Sequence, residues 1–256
     1  MNYNQKTDNS LPRHVVVLTG AGISAESGLG TFRDAGGLWA HHRIEDVATP
    51  EGFNKNPQLV HHFYNQRRAE LQRVAPNAAH HALVELEAEL EAEFEAGMGG
   101  GFTLITQNVD DLHERAGSRS ILHMHGELLK ARCEACAAVF SWHRDLGSED
   151  ACIACGRCTL RPHIVWFGEV PFHLDAIDTA MARAELFISI GTSGSVYPAA
   201  GLVRLARTLG VRTVELNLEP SENHACFDES HQGPAATIVP AFIADLLARY
   251  KKARGA

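Results

Sequence analysis

The sequence predicts an α/β protein, with a parallel sheet covered by helices on both faces and a smaller second domain. Strand-like apolar runs alternate along the chain with helical patterns, as they do when crossover helices join the strands of a parallel sheet. Five cysteines crowd into residues 133–158 and interrupt that alternation, which marks a separate metal-binding module. A length of 256 residues accommodates one large core with such an insertion.

Composition and charge narrow the class of protein. The chain is 45% hydrophobic and 21% charged, and no run approaches the roughly 18 apolar residues of a membrane span. A formal net charge of −8 argues against binding along the phosphate backbone of a nucleic acid. We therefore expect neither a nucleic acid nor a membrane as partner. The polar segment 1–13 lacks the apolar core of a signal peptide, so we expect a flexible tail on a cytoplasmic protein.

Five apolar runs have the pattern of buried strands. They cover residues 14–19, 102–106, 121–124, 186–190 and 213–217. Helical patterns cover residues 56–73, 78–96, 199–209 and 240–252, and the glutamates of 78–96 are expected to face solvent. Polar residues follow several strands, namely Thr19-Gly20, Gln107-Asn108, Gly191-Thr192-Ser193 and Asn217. Because ligands of open α/β sheets bind at the carboxyl ends of the strands, these residues are candidate ligand contacts.

The first strand runs into a glycine-rich segment, residues 20–25 (GAGISA). Its spacing fits a dinucleotide fingerprint, in which glycines let the backbone approach a pyrophosphate at a helix start. A hydride-transfer enzyme would carry an acidic residue at the end of a second strand about 20 residues further on. Residues 31–39 have no strand pattern. The segment therefore predicts a dinucleotide bound in an unusual way, and the alternative is a tight strand-to-helix turn without a ligand.

The cysteine spacing predicts a zinc ribbon. Cys133 and Cys136 form one C-x-x-C pair, and Cys152 and Cys155 form a second after fifteen residues. Cys158 offers an alternative second pair with Cys155, but the glycine after Cys155 suits a tight metal-binding turn and favours the first choice. Four thiolates close the coordination shell of Zn²⁺, so we expect one structural zinc rather than a catalytic metal.

Seven short motifs occur in the order in which they stand in sirtuins, and the chain resembles that family of NAD-dependent protein-lysine deacylases from about residue 14 to 250. The motifs are residues 20–24 (GAGIS), 28–33 (GLGTFR), 106–110 (TQNVD), 125–126 (HG), the cysteine pairs, 165–169 (VWFGE) and 191–193 (GTS). The resemblance implies a Rossmann-like large domain, formed by residues 14–32, 100–126 and 170–252. It also implies a small domain made of a helical module, 33–99, and a zinc-ribbon module, 127–169.

The resemblance implies that NAD lies between the two domains as co-substrate. The glycine segment would cradle the pyrophosphate, residues 107–110 would surround the nicotinamide ribose, and residues near the last strands would hold the adenosine. The implied NAD-binding residues are Gly20, Ala21, Gly22, Ile23, Ser24, Glu26, Thr31, Phe32, Arg33, Trp39, Gln107, Asn108, Val109, Asp110, Gly191, Thr192, Ser193, Asn217, Leu218, Glu219 and Ala235.

The resemblance implies His125 and Asn108 as catalytic residues, with His125 as general base. An imidazole with an ordinary pKa near 6.5 suits proton transfer at neutral pH. In the chemistry of the family, the acyl-lysine oxygen attacks the nicotinamide ribose, and the acyl group leaves lysine. The implied products are nicotinamide, 2′-O-acyl-ADP-ribose and free lysine.

Two segments are implied to bind the acylated substrate protein. Val165, Phe167, Gly168 and Glu169 would present a strand edge to the substrate peptide. Tyr64 and Arg67, three positions apart on one predicted helix face, resemble the pair in class III sirtuins that binds the carboxylate of succinyl- or malonyl-lysine. An arginine fork matches a carboxylate with two hydrogen bonds. Removal of acetyl groups is also expected.

Two alternatives stay open at this point. A mono-ADP-ribosyltransferase would cleave NAD in the same way but transfer ADP-ribose to a protein nucleophile. A non-catalytic NAD sensor would use the zinc ribbon for docking. The deacylase is favoured because His125 and Asn108 are both present. We expect it to act as a monomer.

Overall fold

The computed structural model describes residues 11–30, 42–95 and 100–254. Its larger sheet has six strands, all parallel, in the spatial order β3-β2-β1-β7-β8-β9. These strands are β1 (His14–Thr19), β2 (Gly101–Thr106), β3 (Ile121–His123), β7 (Leu186–Ile190), β8 (Arg212–Asn217) and β9 (Glu229–Gln232). In chain order the strands proceed from β1 through β2 to β3 at one edge of the sheet, and β7 then pairs with the other side of β1. The strand order therefore reverses between β1 and β7, where sheets of this kind bind ligands.

A second sheet of three antiparallel strands forms the cysteine module. Its order is β5-β4-β6. The strands are β4 (Gly126–Cys133), β5 (Val139–Ser141) and β6 (Leu160–Ile164). The buried residues of this module include Trp142, Leu146 and Leu160, which pack beside Cys133 and Cys152.

Nine α-helices complete the part of the chain that the structure describes. They are α1 (Gly22–Ala25), α2 (Ile44–Val47), α3 (Pro50–Lys55), α4 (Pro57–Leu71), α5 (Ala78–Glu95), α6 (Leu112–Ala116), α7 (Leu174–Arg183), α8 (Leu202–Thr208) and α9 (Ala235–Arg254). A short 3-10 turn, Ala199–Gly201, leads into α8. Within these ranges, none of the helices combines the length and apolar character needed to cross a bilayer.

Alternating residues of the central strand β1 enter two different cores. Val15 and Val17 point to the face covered by α5 and α9. Val16 and Leu18 point to the opposite face, which α7 and α8 cover. Both sets are buried because a strand with helices on both faces has no solvent side. The five predicted strands are therefore confirmed within a residue of their predicted ends.

Helix α5 differs from its predicted place. Residues 33–99 were expected to form one helical module of the small domain, but α5 packs on the large sheet through Leu83, Leu86 and Leu90. Its apolar stripe finds more buried surface against β2 and α9 than a short module could offer. One of its glutamates, Glu87, is also buried rather than solvated, because its carboxylate accepts hydrogen bonds from the backbone N–H of Arg119 and Ser120.

The helical part of the small domain consists of α2, α3 and α4. Helix α4 begins at Asn56, whose side chain accepts a hydrogen bond from the Leu59 N–H, with Pro57 in the first turn. Its buried face packs against the cysteine module and residue 166 in a third core. Helix α4 therefore holds its side chains against both modules of the small domain.

Candidate active site

The glycine segment lies at the reversal of strand order, in direct contact with the loop after β7. A Cβ added to Gly20 would lie 2.8 Å from the Gly191 oxygen, and one added to Gly22 would lie 2.7 Å from the Gly191 Cα. Gly191 itself has a φ of +61°. The Gly22 N–H donates to the Gly191 oxygen at 2.8 Å. The close packing of these two backbone segments therefore requires glycine at these positions, whether or not a ligand binds there.

Three polar side chains meet beneath the glycine segment. Ser24 Oγ donates to the Asp110 carboxylate at 3.1 Å. Asn108 Nδ2 donates to the Gly20 carbonyl oxygen at 3.1 Å and lies 3.2 Å from Ser24 Oγ. All three are more than 90% buried. The loop after β2 is thereby attached to the loop after β1 by side-chain hydrogen bonds.

The carboxyl group of Asp110 occupies an unusual environment. Burial raises its pKa and outweighs the hydrogen bonds from Leu112 N–H and Ser24, and the positive charge of Arg67. A buried carboxyl group with a shifted pKa is common at functional sites, because a ligand bound beside it changes the free energy of its charged form.

His125 follows β3 and is partly buried beside the same loop. Its Nδ1 lies 3.1 Å from the carbonyl oxygen of Gln107. Because a carbonyl can only accept, Nδ1 carries the hydrogen, and Nε2 of the neutral ring keeps its lone pair. Burial lowers the pKa of His125, and the Gln107 carbonyl opposes that shift only in part. The ring is therefore neutral near pH 7 and can accept a proton at Nε2.

The loops after β7 and β8 adjoin this group. Gln107 Nε2 donates to Thr192 Oγ1 at 3.0 Å, and Asn217 Nδ2 donates to the Thr192 carbonyl oxygen at 2.9 Å. The Ser193 hydroxyl bonds to Ser195. Four strand ends are thus joined in one hydrogen-bonded array, as their polar residues predicted.

The remaining predicted NAD contacts on the adenosine side are spread around that array. Leu218 and Glu219 lie on the exposed loop after β8, and Leu218 is 65% exposed. Glu26 accepts a hydrogen bond from the Ala236 N–H, which ties the glycine segment to the start of α9. Ala235 is the first residue of that helix and is buried.

Two of the predicted NAD contacts have side chains that pack in the protein interior, and four others lie outside the described residues. The side chain of Ile23 is fully buried in the core under α5 and α9, so it is a packing residue. Val109 packs into the small-domain core, and its carbonyl oxygen accepts the Leu128 N–H. These two positions can contact a ligand only through their backbone. Thr31, Phe32, Arg33 and Trp39 lie outside the described residues, as does most of the predicted tail.

Tyr64 and Arg67 lie together on α4. The Arg67 guanidinium carbon is 6.0 Å from the ring centroids of Tyr64 and Phe63. Tyr64 is 1% exposed, and its hydroxyl oxygen accepts a 2.9 Å hydrogen bond from Trp166 Nε1. Burial lowers the pKa of Arg67, while Tyr64 and Asp110 oppose the shift. Arg67 is partly exposed, and its planar guanidinium can bind an anionic ligand with two hydrogen bonds.

The segment 165–169 forms a turn rather than the expected strand edge. β6 ends at Ile164, and Gly168 adopts a φ of +89°. The Phe167 N–H donates to the Ala48 oxygen, while the Phe167 side chain is 47% exposed. Glu169 is not available as a peptide contact through its carboxylate, which is bonded to Arg161 and Arg132. The predicted peptide contact of Glu169 is a main-chain one, and it stays a prediction.

The four favoured cysteines converge at one end of the second sheet. Their sulfur atoms all lie within 4.8 Å of one another, and the Cys133–Cys155 and Cys136–Cys152 sulfur pairs are each 3.7 Å apart. Tetrahedral zinc with bonds of about 2.3 Å requires sulfur separations of about 3.8 Å. The donor set therefore fits a closed structural zinc site.

The two cysteine pairs sit in matching turns. Ala137 N–H donates to the Cys133 oxygen and has a φ of +60°. Gly156 N–H donates to the Cys152 oxygen and has a φ of +71°. Cys158 lies outside the cluster, with its thiol 3.4 Å from the Glu149 oxygen. The glycine that follows Cys155 therefore indicated the correct second pair, Cys152 and Cys155.

Sequence reasoning missed the contact between Trp166 and Tyr64. The sequence suggested Trp166 only as a core residue of a buried loop, yet its indole N–H reaches a side chain 102 positions earlier. The motif 165–169 contains Trp166 but does not indicate its partner. The pairing depends on how α4 packs against β6.

Comparison with known proteins shows the family of this chain. Residues 20–198 match the Sir2 family. The chain is 55% identical over 236 residues to an NAD-dependent protein deacylase of Pasteurella multocida, which covers 91% of this chain and 97% of that protein. It is 56% identical to an NAD-dependent protein deacylase of Caulobacter vibrioides, with 92% and 97% covered.

Solved structures show the same fold. A mutant Sir2 homologue bound to ADP-ribose superposes with a TM-score of 0.83 at 37% identity, with 94% of both chains covered. A Sir2 homologue in complex with NAD gives a TM-score of 0.80 at 38% identity, covering 93% of this chain and 90% of the other. With the family matched over most of its length and with relatives above 50% identity, this chain belongs to the Sir2 family.

Proposed function

We propose that this protein is an NAD-dependent protein deacylase that removes acyl groups from lysine side chains. The observation that carries the proposal is the hydrogen-bonded group at the reversal of strand order, where Asn108 and Asp110 are bonded to the glycine segment and His125 is bonded to the adjacent Gln107 carbonyl oxygen. These groups surround the crevice where a dinucleotide binds in sheets of this topology.

His125 is proposed as the general base. NAD would supply the ribose that accepts the acyl group and nicotinamide as the leaving group, and one water is consumed for each lysine that is freed. The Gln107 carbonyl fixes the hydrogen of His125 on Nδ1, so Nε2 can take the proton of a ribose hydroxyl. Asn108 and Ser24 are held by mutual hydrogen bonds and need no rearrangement to bind a polar ligand.

We infer that the acyl pocket accepts groups with a terminal carboxylate, such as succinyl and malonyl, as well as acetyl. The support is the pairing of Tyr64 with Arg67 on one face of α4. An arginine fork and a phenol hydroxyl together offer three hydrogens to two carboxylate oxygens. An acetyl group has no carboxylate and would not use these hydrogens.

The substrate peptide is proposed to bind along Val165, Phe167 and Gly168. Phe167 and Gly168 are both exposed there. A solved Sir2 protein that binds a myristoylated histone peptide superposes on this chain with a TM-score of 0.71 at 31% identity. Main-chain hydrogen bonds would give affinity with little dependence on peptide sequence.

The four-cysteine cluster is proposed to hold a structural zinc that orders the small domain. Unpaired thiols and a zinc site both suit a reducing compartment, which supports a cytoplasmic location. We further propose that the enzyme is a monomer. Light scattering during size-exclusion chromatography checks this, with a mass near 27.9 kDa expected.

One experiment tests the activity. Purified protein is incubated with NAD and matched acetylated or succinylated peptides, and products are identified by mass. Deacylation gives free lysine peptide, nicotinamide and O-acyl-ADP-ribose in equal amounts. ADP-ribose attached to the peptide, or nicotinamide release that does not depend on acyl peptide, would contradict the proposal.

A further inference from the structure

The phenol of Tyr64 is held by a partner from the other module of the small domain. Trp166 Nε1 donates a 2.9 Å hydrogen bond to the Tyr64 oxygen, and the two ring centroids are 6.4 Å apart. Both side chains are at most 2% exposed. Water therefore cannot substitute for either partner without a change in packing.

The indole is itself packed against Arg161 and Phe53. The Arg161 guanidinium carbon lies 3.2 Å from its ring centroid, and the Phe53 ring packs at 5.1 Å. Arg161 is in turn fixed by two hydrogen bonds to the Glu169 carboxylate, at 2.8 and 2.9 Å. The Trp166 N–H of the backbone donates to the same carboxylate at 2.8 Å. The direction of the indole N–H is thus set before any substrate binds.

This geometry orients the hydroxyl hydrogen of Tyr64. A phenol hydrogen lies close to the ring plane in one of two orientations, because the oxygen lone pair conjugates with the ring. A donor that occupies one of them forces the hydrogen into the other. With Trp166 as that donor, the Tyr64 hydroxyl is turned away from the indole and is kept as a hydrogen-bond donor.

We propose that Trp166 is a positioning residue for acyl-group selectivity, which acts by fixing the Tyr64 hydroxyl as a donor to a carboxylate bound at Arg67. This inference rests on the proposed acyl pocket. Pre-orientation lowers the entropy lost when the ligand binds, so its effect appears in binding of dicarboxylic acyl groups and not of acetyl. Arg161 and Glu169 support the indole and have no direct contact with the acyl group in this scheme.

The variant Trp166→Phe tests this role, because it removes the N–H and keeps an aromatic side chain. We expect kcat/KM for a succinyl peptide to fall about two- to tenfold, as for loss of one neutral hydrogen bond, mainly through KM. Deacetylation should change less than twofold. Trp142→Phe is the matched control, because Trp142 is also buried and donates its indole N–H to a backbone oxygen, that of Asp145. It should leave the ratio of the two activities unchanged.

A double-mutant cycle with Tyr64→Phe separates positioning from packing. If Trp166 acts through the Tyr64 hydroxyl, Trp166→Phe has no further effect on desuccinylation in the Tyr64→Phe background. Equal losses in both backgrounds, or equal losses of both activities, would overturn the inference. Should Trp166→Phe unfold, a benzothienylalanine at position 166 replaces only the N–H by sulfur and gives the same comparison.

The outcomes also separate this inference from the proposed acyl pocket. If Arg67→Met and Tyr64→Phe leave desuccinylation intact, the pocket assignment fails and this inference fails with it. If those variants lose desuccinylation and the isosteric change at position 166 has no effect, only the role of Trp166 is wrong.

Discussion

The imidazole of His125 is bonded through Nδ1 to the carbonyl oxygen of Gln107, 3.1 Å away. Gln107 in turn donates to Thr192 on the loop after β7, so the ring is oriented by a chain of contacts that crosses the sheet. His125 and Gln107 are both partly exposed, so we expect the fold to tolerate loss of the imidazole.

His125→Ala is therefore expected to abolish turnover while the protein remains folded. Loss of a general base lowers rates by about a hundred- to ten-thousandfold. Initial rates with acyl peptide measure the loss, and thermal unfolding and calorimetric NAD titration serve as controls. Near-normal turnover would show that another group accepts the proton.

Gly191→Ala should destabilise the protein and weaken NAD binding. Its new Cβ would lie 2.4 Å from the Ile23 nitrogen, so the two loops at the reversal of strand order must separate. Gly210→Ala is the control, because Gly210 also has a positive φ, of +72°, but its Cβ would meet no atom within 4 Å. Left-handed strain alone costs about 1–2 kcal/mol. Urea unfolding should show a clearly larger loss at position 191, and similar losses at both positions would contradict the packing argument.

Arg67→Met should reduce desuccinylation selectively. The change keeps length and apolar bulk but removes the fork, and a hydrogen bond to a charged group contributes about 1.5–3 kcal/mol, or roughly ten- to a hundredfold. The loss should appear mainly in KM, because the carboxylate is remote from the reacting carbon. Tyr64→Phe should act in the same direction but more weakly. Steady-state rates with acetyl and succinyl peptides decide the matter, and equal loss of both activities would mean that Arg67 supports the fold or the cofactor.

Cys152→Ser should remove zinc and stability, whereas Cys158→Ser should keep both. Cys152 is buried within the four-sulfur cluster, and Cys158 lies outside it. Metal content by mass spectrometry and thermal unfolding give the two readouts. Zinc that is retained in Cys152→Ser but lost in Cys158→Ser would reverse the choice of pair.

Stability should fall as the pH drops below the ordinary histidine pKa of 6.5, in part because of His80. Burial lowers the pKa of His80 to about 4, with a smaller contribution from the charge of His81. The neutral folded ring binds fewer protons than the unfolded chain between pH 6.5 and 4, so its contribution is full above 6.5 and is lost through that window. The cost between pH 7 and 5 is about 2 kcal/mol. His113, with its ring 4.9 Å away and its pKa also lowered by burial, shifts stability in the same direction.

Urea unfolding at pH 7 and pH 5 measures this effect. His80→Gln should be less stable than the wild type at pH 7 but should lose less stability on acidification. An unchanged pH slope would mean that His80 titrates normally in the folded protein.

The positions of five strands and the four zinc ligands could be predicted from the amino-acid sequence alone. Buried parallel strands must be continuously apolar, which made β1, β2, β3, β7 and β8 readable from the chain. Paired thiolates need a fixed local spacing, so Cys133, Cys136, Cys152 and Cys155 were also readable. The glycine segment and the polar residues after the strands could be located in the sequence because each directly follows a predicted strand.

Contacts between side chains that are far apart in sequence became known from the tertiary structure and not from the sequence. It moved α5 from the small domain to the large sheet, buried Glu87, assigned Ile23 to the core and joined Trp166 to Tyr64. Local sequence gives the apolar stripe of a helix but not the surface that covers it. Packing chooses that surface by the total area buried, and the partners of polar groups such as the Tyr64 hydroxyl follow from that choice.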